Sequence, residues 1–543
     1  MRLVAQYMTE QLQAWGVRRI YGVAGDAILP WMDVLGKQQE VRFIQCRHES
    51  AAAMMASAEA KLTGRPGVCV ATSGPGMLNL LNGLADAHTD RVPVVAITGQ
   101  VETNKLGGNY KQYVPQQGLV APISHYTTEV AHPDAIAEVL PKAFVVAMSR
   151  KGVTHLSISK DIFSQQTTRP VLGELPSTAA RIRADRVEVE RAAEQLIRAE
   201  RPLFLLGVGA RRYASSIVHM AERLGAGIFL SLGAKGAVAE THSLVLGGLG
   251  EGGNNAGLKA LAEADLLVAL GATWLPRSYV PKNLRIIQVD EEPEAFHTGL
   301  QVMPVLANLE EVLPVWEKHL ENVGTNRQWV NRISSLHREF WQETVRSAEQ
   351  PADERIKPEA LMTTLDELVA DDAIIALDTG EHTIWFNRMF RATRQQPLFS
   401  GKWRTMGYGL PAAVAAQLNA PERQVVAIVG DGGLMMNPGE LMTIVEHQLP
   451  ITVVVVRNEA LGMEAVKMKR EGLDPFATAL RNPEFAALAM AFGLKAYVAG
   501  RGDELKDTLH RALTSGQPAL VEVFCTPPSL TPLNKELLFH TQA

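Results

Sequence analysis

The sequence predicts an α/β protein with three consecutive doubly wound parallel-sheet domains. Short β-branched runs that end at a glycine or a polar residue alternate with segments whose apolar residues recur at helical spacing. This alternation is repeated in three blocks of similar design along 543 residues, a length that suits about three or four ordinary domains. Three such blocks indicate three doubly wound domains.

The first block spans residues 1–175, the second 180–320 and the third 358–530, with a polar helical linker at 321–357. The strand-like runs of the first block are "RRIYGVAG", "VRFIQCR", "GVCVATSGPG", "VPVVAITGQ" and "VTHLSISKD". Those of the second are "PLFLLGVGAR", "GIFLSLGAKG", "DLLVALGATW" and "LRIIQVDEEP". Those of the third are "AIIALDTG", "VVAIVGDGG", "ITVVVVRN" and "ALVEVFC".

The composition is typical of a soluble globular protein with large cores, 46% hydrophobic and 20% charged. A net charge of −5 gives no reason to expect nucleic acid or an anionic membrane as a partner. Cys46, Cys69 and Cys525 lack metal-site spacing, so we expect a reduced, cytoplasmic setting. We expect no stable membrane binding, because the chain shows no signal-peptide core, no span of about 18 apolar residues and no long amphipathic tail.

Asp431 and Asn458 each follow a buried strand-like run in the third block. "QVVAIVG" precedes the aspartate, "ITVVVVRN" ends at the asparagine, and "PGELMTIVEH" between them has helical spacing. The two strands of such a βαβ unit run parallel, so both side chains should lie at the carboxyl edge of the sheet, where α/β proteins bind ligands. A carboxylate and an amide oxygen suit a hard cation such as Mg²⁺.

The glycines beside Asp431 add a second feature to this edge. Gly430, Gly432 and Gly433 leave room for phosphate next to backbone N–H groups and the start of a helix. The alternative interpretation is a strand-end aspartate in a tight turn and an asparagine cap. The asparagine at this spacing on the next strand favours the metal and phosphate site.

Glu49 and the stretch "SGPGMLNLLNGLADA" (residues 73–87) form a second constellation in the first block. Glu49 follows a strand and opens a helix rich in alanine and methionine, and the glycine turn opens another helix. Taken alone, Glu49 has an alternative interpretation as a first-turn glutamate stabilised by the helix dipole. The turn alone indicates only a ligand loop or a tight turn.

Together these residues resemble the thiamine diphosphate enzymes of the pyruvate oxidase and acetohydroxyacid synthase group. The matching motifs are GDG…N at Asp431 and Asn458, RHE at Glu49, SGPG at 73–76 and TMGYGLPAA at 405–413. The likeness covers nearly the whole chain and is greatest to pyruvate oxidases. It implies a first domain that binds the aminopyrimidine, a middle domain that often binds FAD, and a third domain that binds diphosphate and metal.

The resemblance assigns roles to three catalytic residues. Glu49 would hydrogen-bond the pyrimidine N1′ of thiamine diphosphate and favour the imino tautomer, whose 4′-nitrogen takes the thiazolium C2 proton. Met406 resembles the apolar wedge that holds the cofactor bent, with an ordinary core methionine as the alternative. Gln112 is placed with these two residues.

The resemblance also assigns the cofactor contacts. Asp431, Asn458 and the backbone carbonyl of Ala460 would bind Mg²⁺. The residues expected to contact thiamine diphosphate are Gly25, Ser73, Gly74, Asn79, Gly380, Glu381, His382, Thr405, Gly430, Gly432, Gly433, Leu461, Gly462 and Met463.

Strand ends in the middle block resemble segments that contact FAD in the oxidases and synthases. "LLGVGAR" places two glycines and an arginine at one strand end, and "IIQVDEEP" places an aspartate, a hydrogen-bond acceptor for a ribose, at another. The alternative is a domain that kept its fold without flavin. The expected FAD contacts are Gly207, Gly209, Arg211, Gly271, Arg277 and Asp290.

Four cations depart from the family's usual pattern or add to it. Arg457 stands where the family has the first of two asparagines, although the metal ligand after it is retained. Lys111 stands where relatives usually have phenylalanine, Lys467 stands where oxidases commonly have glutamate, and Arg404 lies just before the wedge. Each of these last three has an alternative interpretation as a solvated surface cation. If two or more face the cleft, a substrate with an extra anionic group is indicated.

The resemblance implies thiamine diphosphate- and Mg²⁺-dependent decarboxylation of a 2-oxo acid, pyruvate first, with electrons passed to FAD. The alternatives are an acetolactate synthase-type carboligase, for which Met463 is the synthase-like residue, and a decarboxylase of a more anionic 2-oxo acid. A non-catalytic relative is the remote alternative. The family's site lies between subunits, so we expect at least a homodimer, and a homotetramer by resemblance.

Overall fold

The computed structural model describes residues 1–175, 182–321, 323–351, 353–530 and 532–538. It contains three large sheets, each parallel throughout, that follow one another along the chain. The predicted α/β class with three consecutive doubly wound domains is confirmed. The bounds 1–175, 180–320 and 358–530 stay predictions, and residue 180, the expected start of the second domain, lies outside the described residues.

The first domain contains a six-stranded parallel sheet with helices on both faces and a separate two-stranded antiparallel sheet. Its strands are β1 (Arg2–Leu3), β2 (Arg19–Gly22), β3 (Arg42–Gln45), β4 (Gly67–Ala71), β5 (Val94–Gln100), β6 (Tyr126–Val130), β7 (Val153–Ser159) and β8 (Gln166–Thr167). Its helices are α1 (Val4–Ala14), α2 (Leu29–Leu35), α3 (Glu49–Thr63), α4 (Pro75–Thr89), α5 (Gln116–Val120), α6 (Ile136–Arg150) and α7 (Lys160–Phe163). The sheet order is β3-β2-β4-β5-β7-β6, and β1 pairs with β8. Val68 and Val70 of β4 face one core while Cys69 and Ala71 face the other, as the two-residue strand period requires.

The middle domain has a five-stranded parallel sheet. Its strands are β9 (Pro202–Leu206), β10 (Gly227–Leu230), β11 (Leu266–Leu270), β12 (Arg285–Asp290) and β13 (Gln301–Leu306), in the order β10-β9-β11-β12-β13. Its helices are α8 (Arg186–Arg198), α9 (Ala214–Leu224), α10 (Asn255–Glu263), α11 (Leu309–Leu320) and α12 (Arg327–Ser347). Helix α12 lies in the predicted linker, but Trp329, Ile333, Leu336 and Phe340 bury its apolar face in the core of the middle domain.

The third domain is a six-stranded parallel sheet. Its strands are β14 (Ile374–Leu377), β15 (Gln396–Leu398), β16 (Val425–Gly430), β17 (Thr452–Arg457), β18 (Lys495–Ala499) and β19 (Ala519–Phe524), in the order β15-β14-β16-β17-β19-β18. Its helices are α13 (Pro358–Leu368), α14 (Glu381–Met389), α15 (Gly409–Asn419), α16 (Asp431–Leu434), α17 (Glu440–Glu446), α18 (Gly462–Arg470), α19 (Phe485–Phe492) and α20 (Leu505–Leu513). The central strands β16 and β17 carry the predicted metal residues at their ends.

The described part of the chain contains no helix that is both long enough and apolar enough to cross a membrane. Cys46, Cys69 and Cys525 are buried and carry free thiols. Burial raises the pKa of Cys69 to about 12, so this thiol is protonated at neutral pH.

Helices α3, α4 and α15 join the first and third domains through one hydrophobic core. A Cβ added at Gly83 of α4 would lie 2.6 Å from the Cβ of Ala53 on α3, so these helices approach closely. The buried Glu440 carboxylate of the third domain accepts the backbone N–H groups of Arg47 at 2.8 Å and His48 at 3.2 Å. Because α3 begins at the next residue, Glu49 is held in place relative to the third domain.

A buried ion pair joins the middle domain to the third. Lys235 Nζ lies 2.6 Å from Glu240 Oε2, and each side chain is 1% exposed. Lys235 also donates to the carbonyl of Asn387 at 3.3 Å, and Glu240 accepts the N–H of Ala392 at 2.9 Å. Burial raises the pKa of the Glu240 carboxyl, and the neighbouring ammonium opposes that shift.

We predict that Glu240→Gln lowers the free energy of unfolding by about 3–5 kcal/mol, because it leaves the Lys235 ammonium buried without a counter-ion. The double variant Lys235→Met/Glu240→Gln should recover most of that loss. Urea unfolding followed by tryptophan fluorescence measures both. Glu367→Gln, which breaks an exposed ion pair with Lys506, is the control and should change stability by less than about 1 kcal/mol. A Glu240→Gln curve identical to that of the wild type would contradict the role of this pair.

Candidate active site

The structure brings Asp431 and Asn458 together at the carboxyl edge of the third sheet. Strands β16 and β17 pair in register, with Gly430 opposite Val456, so both residues follow at the same edge. The backbone N–H of Glu459 donates to Asp431 Oδ2 at 2.7 Å, which ties the two strand ends to each other. Glu459 adopts a left-handed backbone conformation (φ 61°), which turns the chain immediately after Asn458.

The surroundings of Asp431 hold its carboxylate in one orientation. Oδ1 accepts the N–H of Gly432 at 2.9 Å, and Oδ2 accepts Asn482 Nδ2 at 2.9 Å in addition to the Glu459 N–H. Burial raises the pKa of Asp431, and these donors act against the shift because they favour the ionised form. Sequence reasoning missed Asn482, which lies in the connection before α19.

These donors fit a hard divalent cation. Asp431 supplies a buried carboxylate, and the side chain of Asn458 follows the neighbouring strand, with its Oδ1 accepting the N–H of Ala460 at 3.2 Å. Asn458 Nδ2 lies 3.5 Å from Glu381 Oε2, a contact that turns the amide oxygen away from Glu381. Carboxylate, amide and carbonyl oxygens are the donors that Mg²⁺ prefers. The metal assignments of Asp431, Asn458 and Ala460 stay predictions that this geometry supports.

Arg457, the departure before Asn458, is used inside the third domain. Its guanidinium lies 2.5 Å from the buried Glu522 carboxylate on β19 and 3.4 Å from Glu459, and it stacks 4.6 Å from the ring centre of Phe524. The residue therefore anchors the turn that follows β17. Its charge is matched by neighbouring carboxylates.

The glycine turn packs against the predicted wedge. A Cβ added at Gly432 would lie 3.2 Å from Met406 Cε, 3.2 Å from Leu461 Cδ2 and 3.0 Å from Leu480 Cδ1. A Cβ at Gly433 would lie 2.8 Å from Asp378 Oδ2. Met406 is therefore beside the GDG turn, where the resemblance expects it.

Asp378, at the end of β14, is a residue that sequence reasoning missed. Its buried carboxylate accepts the N–H of Gly407 at 2.9 and 3.0 Å and the N–H of Thr379 at 2.6 Å. Burial raises the pKa of Asp378 to about 7. Gly407 has φ 82°, so this carboxylate fixes the left-handed turn that presents Met406. The strand-end rule applied to Asp431 would have identified Asp378 as well.

The predicted diphosphate residues surround the same turn. A Cβ at Gly462 would lie 2.6 Å from Glu381 Oε2, and one at Gly430 would lie 3.3 Å from His382 Cε1. Burial lowers the pKa of His382 to about 4, so the ring is neutral at pH 7 and its Nε2–H donates to the carbonyl of Asp378 at 2.9 Å. Gly380, Leu461 and Met463 adjoin these residues in the chain.

The first-domain residues form a second group around Glu49. Glu49 Oε2 accepts Asn79 Nδ2 at 3.0 Å, and a Cβ at Gly76 would lie 3.2 Å from Glu49 Oε1. Gly74 has φ 63°, and a Cβ there would lie 2.8 Å from the carbonyl oxygen of Gln112. The glycine turn therefore supports the glutamate on one side and the Gln112 loop on the other.

Gly25 and Ser73 complete this first-domain group. A Cβ at Gly25 would lie 2.6 Å from the Cβ of Thr72, and Ser73 is buried. Ser73 and Gln112 line a small cavity that opens to solvent, and Gly25 precedes two further lining residues. The lining residues are Asp26, Ala27, Ser73, Gln100, Val101, Glu102, Lys105, Tyr110, Lys111, Gln112 and Lys160.

Helix α4 connects the two groups within one chain. Asn79 donates to Glu49, and one turn later Asn82 Nδ2 donates to Thr405 Oγ1 at 3.0 Å. Asn82 Oδ1 also accepts the Nε1–H of Trp403 at 2.9 Å. Within the described ranges, no hydrogen bond joins the Glu49 side chain directly to the third domain, so α4 and the shared core relate the two groups.

Comparison with family models accounts for all three domains. The N-terminal thiamine pyrophosphate (TPP) binding domain of thiamine pyrophosphate enzymes matches residues 2–121, the central domain 189–315, and the C-terminal TPP binding domain 378–523. The chain belongs to the thiamine pyrophosphate enzyme family. Thiamine pyrophosphate and thiamine diphosphate are the same cofactor, so the resemblance seen in the sequence is confirmed.

Relatives of this thiamine pyrophosphate enzyme align over nearly its whole length. It is 35% identical to the putative thiamine pyrophosphate-containing protein YdaP of Bacillus subtilis (96% of this chain, 91% of the relative). It is 33% identical to the acetolactate synthase isozyme 2 large subunit of Escherichia coli (96% and 95%). It is 28% identical to the pyruvate oxidase of Lactiplantibacillus plantarum (96% and 89%).

Several residues predicted to contact FAD in this family member make packing contacts within the protein. A Cβ at Gly207 would lie 1.9 Å from the carbonyl oxygen of Gly271, and one at Gly209 would lie 3.2 Å from Gly271 Cα, so the glycines let the segments after two neighbouring strands approach closely. The Arg211 guanidinium donates to the backbone carbonyls of Lys235 at 2.7 Å and Gln395 at 3.2 Å. These residues serve the packing of the protein whether or not a flavin binds.

Asp290 and its neighbourhood fit a nucleotide better. Its side chain is buried, and Oδ2 has no hydrogen-bond partner among the described residues. Oδ1 accepts the N–H of Glu292 at 3.1 Å and lies 3.7 Å from Arg91 Nη1. An orphaned carboxylate oxygen at a strand end is suited to a ribose hydroxyl. At the neighbouring strand ends Val208 is 65% and Trp274 56% exposed, and Arg277 is exposed.

The three cations that the sequence placed near the cleft have different surroundings in the structure. Lys111 lines the first-domain cavity. Lys467 is half exposed, and its Nζ lies 2.9 Å from Glu464 Oε1 on the same helix, which matches the interpretation as a surface cation. Arg404 is exposed and has φ 54°. Lys105 and Lys160, which the sequence did not single out, join Lys111 instead.

We predict that Asp431→Ala lowers Mg²⁺ affinity and thiamine diphosphate affinity together, each by more than about tenfold, because the metal bridges the protein to the diphosphate. Isothermal titration calorimetry of the cofactor-free protein, with and without Mg²⁺, measures both. Asp507→Ala removes an exposed carboxylate from α20 and is the matched control. Unchanged cofactor binding in Asp431→Ala would mean that the GDG stretch is only a turn.

Proposed function

We propose that this enzyme uses thiamine diphosphate and Mg²⁺ to decarboxylate a 2-oxo acid, pyruvate first, and that it passes the electrons to FAD. The observation that carries the proposal is the arrangement of Asp431 and Asn458 beside Met406 at one sheet edge. A metal and diphosphate site next to an apolar wedge serves the cofactor chemistry of this family. Glu49, which in this family comes to the site from the first domain of another subunit, would add the carboxylate that the reaction needs.

Different residues would bind different parts of thiamine diphosphate. Asp431, Asn458 and the carbonyl of Ala460 would hold Mg²⁺ and through it the diphosphate. Met406 would support the bend of the cofactor, and Glu49 would meet the aminopyrimidine. Bound thiamine diphosphate supplies an acidic thiazolium carbon, which adds to the 2-oxo group and retains the electron pair released with CO₂. Diphosphate contacts would come from Gly380, Glu381, His382, Thr405, Gly430, Gly432, Gly433, Leu461, Gly462 and Met463, and pyrimidine contacts from Gly25, Ser73, Gly74 and Asn79.

Glu49 would hold and return a proton at the pyrimidine N1′. The Asn79 amide donates to its Oε2, so this oxygen is oriented and the other remains for the ligand. Gly76 leaves the space that this orientation needs. Gln112, at the wall of the adjoining cavity, would donate to the carboxylate or carbonyl oxygen of the 2-oxo acid.

FAD binding in the middle domain is part of this proposal. The unpartnered Oδ2 of Asp290 supports it, as do the exposed Trp274 and Val208, apolar side chains beside the strand ends that a flavin would cover. The relative named pyruvate oxidase supports it from the sequence. Gly207, Gly209, Arg211, Gly271 and Arg277 would line the same site.

A carboligase of the acetolactate synthase type is the second candidate. The E. coli acetolactate synthase large subunit matches at 33% identity over 96% of this chain, and Met463 is the synthase-like residue at the start of α18. In that case a second carbonyl compound, rather than FAD, would take the electron pair. Both candidates use the same metal and glutamate residues.

We also infer that the working form is at least a homodimer, and by family resemblance a homotetramer. Large apolar side chains lie exposed around both groups of site residues: Trp403 is 46%, Met435 44% and Met436 57% exposed beside the wedge, and Leu78 on α4 is 42% exposed. A second copy that covered these side chains would also exclude water from the reaction.

We predict that Glu49→Gln keeps thiamine diphosphate binding but lowers kcat by about 10²–10⁴-fold, because an amide cannot exchange the proton at N1′. Turnover of pyruvate and NMR-detected exchange of the cofactor C2 proton measure the effect. Glu138→Gln, on the exposed face of α6, is the control and should behave as the wild type. Wild-type C2 exchange in Glu49→Gln would refute the assignment of Glu49.

We predict that the purified enzyme contains FAD and that anaerobic pyruvate bleaches the visible absorption of the flavin. Asp290→Asn should weaken FAD retention, because the amide removes a negatively charged hydrogen-bond acceptor for the ribose. Product analysis separates the two candidates. Acetolactate formed without flavin reduction would replace the oxidase by the carboligase.

A further inference from the structure

A charged cavity adjoins the first-domain group of site residues. The cavity is small and opens to solvent, and its wall contains three lysines and two carboxylates together with Ser73 and Gln112. Lys160 Nζ lies 2.7 Å from Asp26 Oδ1, and Lys105 Nζ lies 2.6 Å from Glu102 Oε2. Two of the lysines therefore already have counter-ions.

Lys111 is the third lysine, and it forms no ion pair with any residue in the described ranges. Three ammonium groups face two carboxylates, so the wall carries one excess positive charge. The pKa of Asp26 is lowered, mainly by the hydrogen bond from Lys160 and further by Lys111 and Lys105. Asp26 is consequently ionised at neutral pH and stays with Lys160, which leaves the Lys111 ammonium for a ligand.

The loop that carries Lys111 is held against the site. The next residue, Gln112, has φ 63°, a conformation that residues other than glycine seldom adopt, and its backbone packs on Gly74. Gln100 Nε2 donates to the carbonyl of Val114 at 2.9 Å, which fixes the far side of the loop. Lys111 and Gln112 therefore enter the cavity wall together.

Lys105 and Lys160, unlike the exposed Lys111, are partly withdrawn from water. The side chains of Lys105 and Lys160 are 30% and 29% exposed, whereas the surface residue Lys37 is 71% exposed. Lys105 also lies 4.4 Å from the ring centre of Tyr110. Charges that are partly shielded from solvent interact more strongly with an entering anion than fully solvated charges do.

We propose that this cavity binds a phosphate, sulfonate or carboxylate group next to the 2-oxo acid, with Lys111 as the main determinant. The anion is either a second acidic group of the 2-oxo acid itself or a separate anion such as inorganic phosphate. The place of this group beside the 2-oxo acid rests on the proposed function. The binding of the anion does not.

The first experiment measures anion binding without turnover. Calorimetry of the cofactor-loaded enzyme with inorganic phosphate is carried out on the wild type, Lys111→Ala, Lys111→Glu and Lys160→Gln. Lys37→Ala is the control, because Lys37 is exposed, pairs with Asp33 and does not line the cavity. We expect saturable binding that weakens by about tenfold or more in Lys111→Glu and is unchanged in the control.

The second experiment identifies the source of the anion. The ratio of kcat/KM for 2-oxoglutarate, a dicarboxylic 2-oxo acid, to kcat/KM for pyruvate is compared between wild type and Lys111→Glu. A fall of about tenfold or more places the anion on the substrate. Phosphate binding that depends on Lys111, with no change in this ratio, identifies a separate anion, and either result supports the site.

Two results would overturn the proposal. In the first, the wild type binds no phosphate and Lys111→Glu leaves the ratio of the two kcat/KM values unchanged. In the second, Lys111→Glu binds phosphate as tightly as the wild type does and also keeps that ratio. If no 2-oxo acid is converted while phosphate binding still depends on Lys111, the proposed function fails and the anion site stands. Circular dichroism and melting temperature of each variant show that the fold is intact.

Discussion

The close packing of α3 and α4 against α15 is the contact on which the candidate site depends. Small side chains let these helices share one core between the first and third sheets. Each helix also carries or adjoins a site residue: α3 begins with Glu49, α4 carries Asn79 and Asn82, and α15 follows the Met406 turn. A shift between the two domains would therefore move the glutamate and the wedge relative to each other. The apolar core supplies the rigidity that the polar residues cannot supply alone.

Buried carboxylates at strand and helix ends set the backbone around that core. Asp378 fixes the turn after Met406, Asp431 joins the ends of β16 and β17, and Glu440 holds the start of α3. Burial raises the pKa of each carboxyl, and backbone N–H donors act in the opposite direction. The donors thus offset part of the cost of burying each carboxylate, and each carboxylate specifies one backbone geometry.

Charged side chains of the middle domain serve mainly to dock it onto the third domain. The ion pair of Lys235 and Glu240 contacts backbone groups of the third domain, and Arg211 donates to the third-domain carbonyl of Gln395 as well as to the middle-domain carbonyl of Lys235. A glycine pair with an arginine at a strand end is therefore consistent with domain docking as well as with a bound nucleotide. Asp290 differs, because its side chain contacts Arg91 and the N–H of Glu292 rather than the third domain, and its Oδ2 lies buried without a partner in the described part of the chain. This orphaned acceptor is the stronger indication of a ligand.

The sequence by itself determined the fold class, the central strands and the edge at which Asp431 and Asn458 meet, because buried strands are continuous apolar runs whose ends are visible locally. It did not reveal the edge strands β6, β13, β15 and β18, most of which are short or partly exposed and lack that signal. Tertiary structure alone decided which side chains meet. The amide of Asn482 donates to Asp431, 51 residues earlier in the sequence. Lys160 pairs with Asp26, 134 residues earlier, whereas Lys467 pairs with Glu464 on its own helix. Periodicity records which face of an element is buried, whereas a polar side chain's partner depends on how distant elements are brought together.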